Sequence, residues 1–313
     1  MVRRHAAVLG SPIAHSLSPA LHRAAYAALG LTDWSYEAID MTADRLPAWL
    51  AGLDASWVGL SITMPLKRVI LGLVDHVDGL AKTVGVANTV VFNPAGAVAA
   101  NTDVYGIVAA IREAAPGRVW RAATVLGGGA TAAAALAALA ELGVAQPKVF
   151  VRSLARSQEL IAAAARMGVK PELRRWPTPG TAHRVSLGDW PAELVISTLP
   201  PHAADALAAE PWGSGADGIG RGEDGPGRLG AGGGPGEAVG GNGADGIGRG
   251  EDGGVLLDVA YAPWPSRLAQ AWAARGGIAV PGRLMLLHQA AEQVRLMTGR
   301  PAPLDAMRAA QPG

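Results

Sequence analysis

Short apolar runs rich in valine, leucine and isoleucine alternate along the chain with stretches whose apolar positions return at helical spacing. The runs fall at residues 6–9, 35–39, 57–62, 124–126, 149–151, 194–197 and 255–259. Such alternation predicts an α/β fold of parallel sheets with helices on both faces. Between the first two runs, Leu21, Ala24, Ala25, Ala28 and Leu29 line one face of a helix that starts at Pro19, with Ser18 as its N-cap and Gly30 as its stop. The uncharged stretch 122–140 approaches membrane-spanning length. A triple glycine interrupts it, so it predicts a strand, a turn and a helix over 132–142.

Residues 213–254 break the alternation: glycine dominates, Asp, Glu and Arg are scattered, and there is little apolar side chain to bury. The segment 216–224 recurs unchanged at 244–252. Two short copies lack the tandem register that a calcium-binding β-helix needs in order to stack, so a disordered insertion is expected instead.

The 313 residues suffice for two domains, with a boundary near residues 103–118. Lys and Arg number 27 against 26 Asp and Glu, and the signs are interspersed. This balance provides no basic stripe for nucleic acid and no acidic tail, and favours a small-molecule partner. Cysteine is absent, which excludes disulfides, thiolate metal sites and a thiol nucleophile and fits a reducing, cytoplasmic setting. The apolar run after Arg3 and Arg4 is too short for a secretory signal and predicts a first strand. No membrane partner and no metal is expected.

Lys67 is one of only four lysines in a chain that takes most of its positive charge from arginine, and it follows a strand end in Ser61-Ile62-Thr63-Met64-Pro65-Leu66-Lys67. An arginine is never deprotonated near neutral pH, whereas a lysine amine can be tuned to give up and recover a proton. With the carboxylate of Asn101-Thr102-Asp103 and the Gly127-Gly128-Gly129 turn, Lys67 points to a redox enzyme. Ser16 and Ser18 either shape and cap a helix start or grip an anion there. Asn88 is either turn chemistry or an amide projecting from a strand, and Asp103 either an N-cap or a partner for the lysine.

Gly127-Gly128-Gly129-Ala130-Thr131-Ala132 fits G-x-G-x-x-A between a strand and a helix, as a dinucleotide turn requires. The next strand ends in Arg152-Ser153-Leu154-Ala155-Arg156 instead of an acidic residue. A carboxylate there would repel a 2′-phosphate, whereas Arg152, Ser153 and Arg156 can bind it, so NADP is expected over NAD.

The joint pattern resembles the shikimate dehydrogenase family. It is carried by Ser16-Leu17-Ser18-Pro19, Thr63-Met64-Pro65-Leu66-Lys67, Ala87-Asn88-Thr89, Asn101-Thr102-Asp103-Val104-Tyr105-Gly106, Asp258-Val259-Ala260-Tyr261-Ala262-Pro263-Trp264-Pro265 and Gly282-Arg283-Leu284-Met285-Leu286-Leu287-His288-Gln289-Ala290-Ala291. The resemblance covers nearly the whole chain except the glycine-rich segment. It implies an N-terminal α/β substrate domain over residues 1–105, completed by 284–313, and a Rossmann-type doubly wound NADP domain over 106–283, with hinge closure around both ligands.

It further implies that Ser16, Ser18, Thr63, Asn88, Asp103, Tyr261 and Gln289 surround shikimate, and that Thr198, Val259, Gly282 and Met285 lie along the cofactor. Val151 stands where the family has an asparagine, so one adenosine-side contact is missing. The implied reaction is reversible NADPH-dependent reduction of 3-dehydroshikimate, with Lys67 moving the proton and Asp103 holding Lys67. Quinate and aminoshikimate dehydrogenases, and a non-catalytic NADP-binding regulator, are the alternatives; the regulator would have no need of Lys67 or Asp103. Methylene-tetrahydrofolate dehydrogenase shares the two-domain plan, but the serines and Asn101-Thr102-Asp103 do not suit a pterin. A monomer or homodimer is expected.

Overall fold

A computed structural model describes residues 3–176, 193–208 and 253–311. The first half runs β1 (Arg4–Gly10), α1 (Ser18–Ala28), β2 (Trp34–Asp40), α2 (Leu46–Ala51), β3 (Trp57–Ile62), β4 (His76–Val77), α3 (Gly79–Val84), β5 (Thr89–Asn93), β6 (Gly96–Ala100) and α4 (Asp103–Ala114). The second runs β7 (Ala123–Leu126), α5 (Ala130–Glu141), β8 (Lys148–Val151), α6 (Gln158–Arg166), β9 (Glu172–Arg175), β10 (Leu194–Ser197), α7 (Asp205–Ala208), β11 (Val255–Asp258), α8 (Arg267–Ala273) and β12 (Ile278–Pro281). Two helices follow, α9 (Gly282–Thr298) and α10 (Leu304–Ala309).

The second sheet, in order β12-β11-β10-β7-β8-β9, is parallel throughout. Val125, Ile196 and Leu257 pack against the alanines of α5 on one face, while Val195 and Leu256 meet Leu268 and Trp272 on the other. Burial on both faces explains why these strands are continuous apolar runs.

The first sheet, in order β2-β1-β3-β5-β6-β4, departs from the all-parallel expectation, because β5 runs antiparallel to both β3 and β6. Only Pro94 and Ala95 join β5 to β6. So short a connection turns a chain back on itself and cannot make the crossover that a parallel pair needs.

Two helix starts also differ from expectation. Helix α1 begins at Ser18, without a side-chain cap. The hydroxyl facing the helix start belongs to Ser16, whose Oγ accepts from Ser18 N at 3.3 Å, while Ser18 itself is buried. Gly30, at φ +67°, ends the helix as Leu31 N donates back to Tyr26 O at 2.8 Å. Helix α5 begins at Ala130, directly after the glycine turn and two residues earlier than its pattern suggests. Of the predicted insertion over 213–254, all but Gly253 and Gly254 lies outside the described residues.

Helix α9 ties the two sheets together. It starts at Gly282, where a Cβ would lie 2.2 Å from Val259 O, and its far end carries Met297, packed on Gly59 of β3. Its 17 residues span about 25 Å at roughly 1.5 Å per residue. Gly106 lets α4 touch it closely, since a Cβ there would meet Met285 O at 2.7 Å.

Candidate functional site

After β3 the chain turns tightly, with Leu66 N donating to Thr63 O at 2.8 Å and Leu66 fully buried. Ala87 N then holds Lys67 O at 2.9 Å, so the lysine side chain leaves from a fixed point beside the start of β5. Its Nζ lies 2.5 Å from Asp103 Oδ2, and the two side chains are only 14% and 6% exposed.

Asp103 is free to make this contact because another residue serves the helix start. Asn101 Oδ1 accepts from Val104 N at 3.2 Å, and Asn101 Nδ2 donates to Val86 O at 3.0 Å. The carboxylate of Asp103 therefore does not cap α4. Its second oxygen accepts from Asn88 Nδ2 at 2.8 Å, and the same amide group faces Thr102 Oγ1 at 2.9 Å and Gln289 Oε1 at 3.0 Å. Asn88 Oδ1 accepts from Thr102 N at 2.7 Å, and because a backbone N–H only donates, this bond fixes which way the amide points.

Lys67, Asp103, Asn88 and Gln289 thus form one bonded cluster. Ser16 and Ser18 stand at the head of α1, and Thr63 packs its methyl group over Gly10, where a Cβ would come within 2.3 Å. Tyr261 lies half-buried past the end of β11, and burial raises its phenol pKa. A second polar layer, Tyr36, Ser61, Gln293, Thr89 and His22, is absent from the sequence-based expectations. Its one signal in the sequence is spacing: Gln293 follows Gln289, and His22 follows Ser18, by one helical turn.

At the second sheet, Gly127 adopts φ +111°, and a Cβ there would lie 2.4 Å from Thr198 Oγ1. Thr198 holds the strand end through N and Oγ1, each 2.8 Å from Leu126 O. A Cβ on Gly129, by contrast, would meet nothing within 4 Å. Helix α5 has neither a side-chain cap nor an acidic residue in its first turn, so the amides of Ala130 and Thr131 head a helix with space for an anion. Ala132 is fully buried against the sheet, as the small third position of such a turn requires.

Past β8, Arg152 and Arg156 are exposed and Ser153 is half-buried, an arrangement that fits a 2′-phosphate. Val151 is buried, and a Cβ on Gly128 would lie 3.0 Å from its Cγ1, so it presents no polar group there. Val259 and Gly282 meet backbone to backbone, and Met285 is buried one turn into α9. Among the described residues no helix is long and apolar enough to cross a membrane, and no group of three or more His, Cys, Asp or Glu is placed to hold a metal ion.

The chain matches the model of the shikimate dehydrogenase substrate binding domain over residues 8–90 and that of the shikimate 5′-dehydrogenase C-terminal domain over residues 282–310. It is 34% identical over 310 residues to a shikimate dehydrogenase (NADP(+)) of Rubrobacter xylanophilus, covering 98% of this chain and 94% of that one. The crystal structure of Mycobacterium tuberculosis shikimate dehydrogenase matches with a TM-score of 0.75 and 38% identity over 98% of both chains. Shikimate 5-dehydrogenase from Thermus thermophilus, in complex with NADP(H) and shikimate, matches with a TM-score of 0.71 and 27% identity over 98% of both chains.

Proposed function

The chain belongs to the shikimate dehydrogenase family, and from that premise we propose that Lys67 and Asp103 manage the proton in the reversible NADPH-dependent reduction of 3-dehydroshikimate to shikimate. The enzyme is an NADP-dependent oxidoreductase acting on a CH–OH group in the biosynthesis of chorismate and the aromatic amino acids. The carrying observation is the 2.5 Å contact from Lys67 Nζ to Asp103 Oδ2 inside a shielded network of Asn88 and Gln289.

NADPH, when bound, supplies the hydride for the ring carbonyl carbon. Lys67 delivers a proton to the oxygen as it becomes an alcohol and recovers it in the oxidising direction. Asp103 aims the amine and, with Asn88 and Gln289, binds ring hydroxyls. Ser16 and Ser18 at the head of α1, together with Thr63 past the end of β3, take the ring carboxylate, and Tyr261 approaches from the second sheet. Gly127, Gly128, Gly129, Ala130 and Thr131 cradle the pyrophosphate, and Arg152, Ser153 and Arg156 take the 2′-phosphate. Thr198, Val259, Gly282 and Met285 line the nicotinamide end.

Residues 1–105 with 284–313 form the substrate domain and 106–283 the nucleotide domain of a cytoplasmic monomer or homodimer. The deciding experiment follows the nicotinamide absorbance of purified protein with shikimate and either NADP+ or NAD+. Turnover favouring NADP+ is expected. Replacing Arg152 by alanine raises the KM for NADP+ roughly 10–100-fold and spares that for NAD+, since one charge-assisted hydrogen bond contributes about 1.5–3 kcal/mol. Tight NADPH binding without turnover would favour a non-catalytic role, and turnover of quinate alone would reassign the substrate.

A further inference from the structure

Gln293 lies one helical turn beyond Gln289 on α9, is 1% exposed, and uses every hydrogen-bonding position it has. Its Nε2 donates to Asn88 O and to Thr89 Oγ1, each at 3.0 Å. Its Oε1 accepts from Ser61 Oγ at 2.8 Å and lies 3.2 Å from His22 Nε2. Asn88 O only accepts, which fixes the orientation of the amide. Burial holds the His22 pKa down to about 3, so the ring is neutral, with its proton on the nitrogen facing Gln293.

Two hydrogen-bonded chains meet at this side chain. One runs through Asn88 to Asp103 and Lys67. The other runs through Ser61 to the Tyr36 hydroxyl, which donates to Ser61 Oγ at 2.5 Å and also meets the Ser18 side chain. Helix α1 and strands β3 and β5 are thereby tied to α9 at one point.

We infer that Gln293 is a positioning residue that sets the spacing between the carboxylate end of the substrate site at Ser18 and the ring-hydroxyl end at Asn88 and Asp103. This rests on the functional reading above, and Gln293 itself touches no reacting atom. An apolar side chain of similar length would fill the same space and leave Asn88 O, Ser61 and His22 without their shared partner. The strands would then shift to satisfy those groups. Such a shift alters the fit of the substrate, while the glycine turn that holds the cofactor lies on the other sheet.

Steady-state kinetics of Gln293→Met test this, with wild-type oxidation of shikimate measured first; a wild type that does not turn over shikimate fails the functional reading and takes the inference with it. The expected result is a rise of about tenfold in the KM for shikimate, an unchanged KM for NADP+, and a kcat lowered less than about threefold. Tyr36→Phe, which removes only the hydroxyl between Ser61 and Ser18, raises the same KM about threefold. A folded Gln293→Met with an unchanged shikimate KM, or with both KM values rising together, overturns the inference. Where circular dichroism shows that Gln293→Met does not fold, Tyr36→Phe decides: a selective rise supports the inference, and an unchanged shikimate KM overturns it.

Discussion

The two ends of the proposed site treat polar groups in opposite ways. Around Lys67, polar side chains are buried and satisfied by one another: Asn88, Thr102, Asp103, Gln289 and Gln293 are each nearly sealed from solvent and hydrogen-bonded. At the glycine turn the work falls to backbone amides at a helix head and to exposed arginines beyond β8. The first arrangement holds its donors and acceptors in one fixed geometry through their mutual hydrogen bonds, so on the proposed reading it discriminates by which ring hydroxyls match that geometry. The second recognises charge and shape, so it tolerates side-chain variation and is screened by salt.

The largest effect that sharpens this contrast is at Lys67. Lys67→Ala lowers kcat by about 10²–10⁴-fold, the usual range for a general acid–base group, and changes the KM for shikimate much less. Lys67→Arg separates charge from proton transfer, because a guanidinium keeps the ion pair with Asp103 and does not release a proton. It is expected to be as inactive as the alanine variant. Near-normal turnover in Lys67→Arg would reduce the lysine to an electrostatic prop.

The same contrast explains what was readable in the sequence. Strands β7, β8, β10 and β11 are buried on both faces, so their apolar runs mark them to within a residue. Strand β6, built from Gly96, Ala97, Val98, Ala99 and Ala100, has too little bulk to register as a run, and the edge strand β9, Glu172–Arg175, is mostly charged. Lys67, Asn88, Asp103 and Gln289 stand out by residue type and order, and the fold brings these four together. His22, Tyr36, Ser61 and Gln293 do not stand out. None is marked by a motif role of its own, and only packing of α1, β2, β3 and α9 reveals that they share hydrogen bonds.

That buried layer carries a pH signature of its own. His22 has a folded pKa of about 3 against an ordinary value of 6.5, and burial is the cause. It stacks on Tyr36 at 4.0 Å and meets Tyr26 edge-on, and both phenols are pushed upward by burial and stay neutral. As pH falls below 6.5 the unfolded chain takes up a proton that the folded one refuses until near pH 3, so stability is lost through that window. Between pH 7 and pH 5 the loss from this group is about 2 kcal/mol. Urea unfolding of wild type and His22→Phe at the two pH values measures it; an equal acid loss in both proteins would mean the ring is not held neutral.

The smallest expected effect tests whether the cofactor end is as open as it looks. Gly127 cannot gain a Cβ without meeting Thr198 at 2.4 Å in a left-handed backbone, so a change there damages the fold as well as the site. Gly129 has φ −86° and ψ −166°, which other residues adopt readily, and a Cβ there meets nothing of the protein within 4 Å. Gly129→Ala is therefore expected to leave the thermal midpoint unchanged and to raise the KM for NADP+ about fivefold, because the methyl group occupies the space into which the pyrophosphate approaches the amides of α5. The KM for shikimate stays the same. A methyl group that left both KM values untouched would place the pyrophosphate elsewhere and break the division between a buried, self-paired end and an open, backbone-lined one.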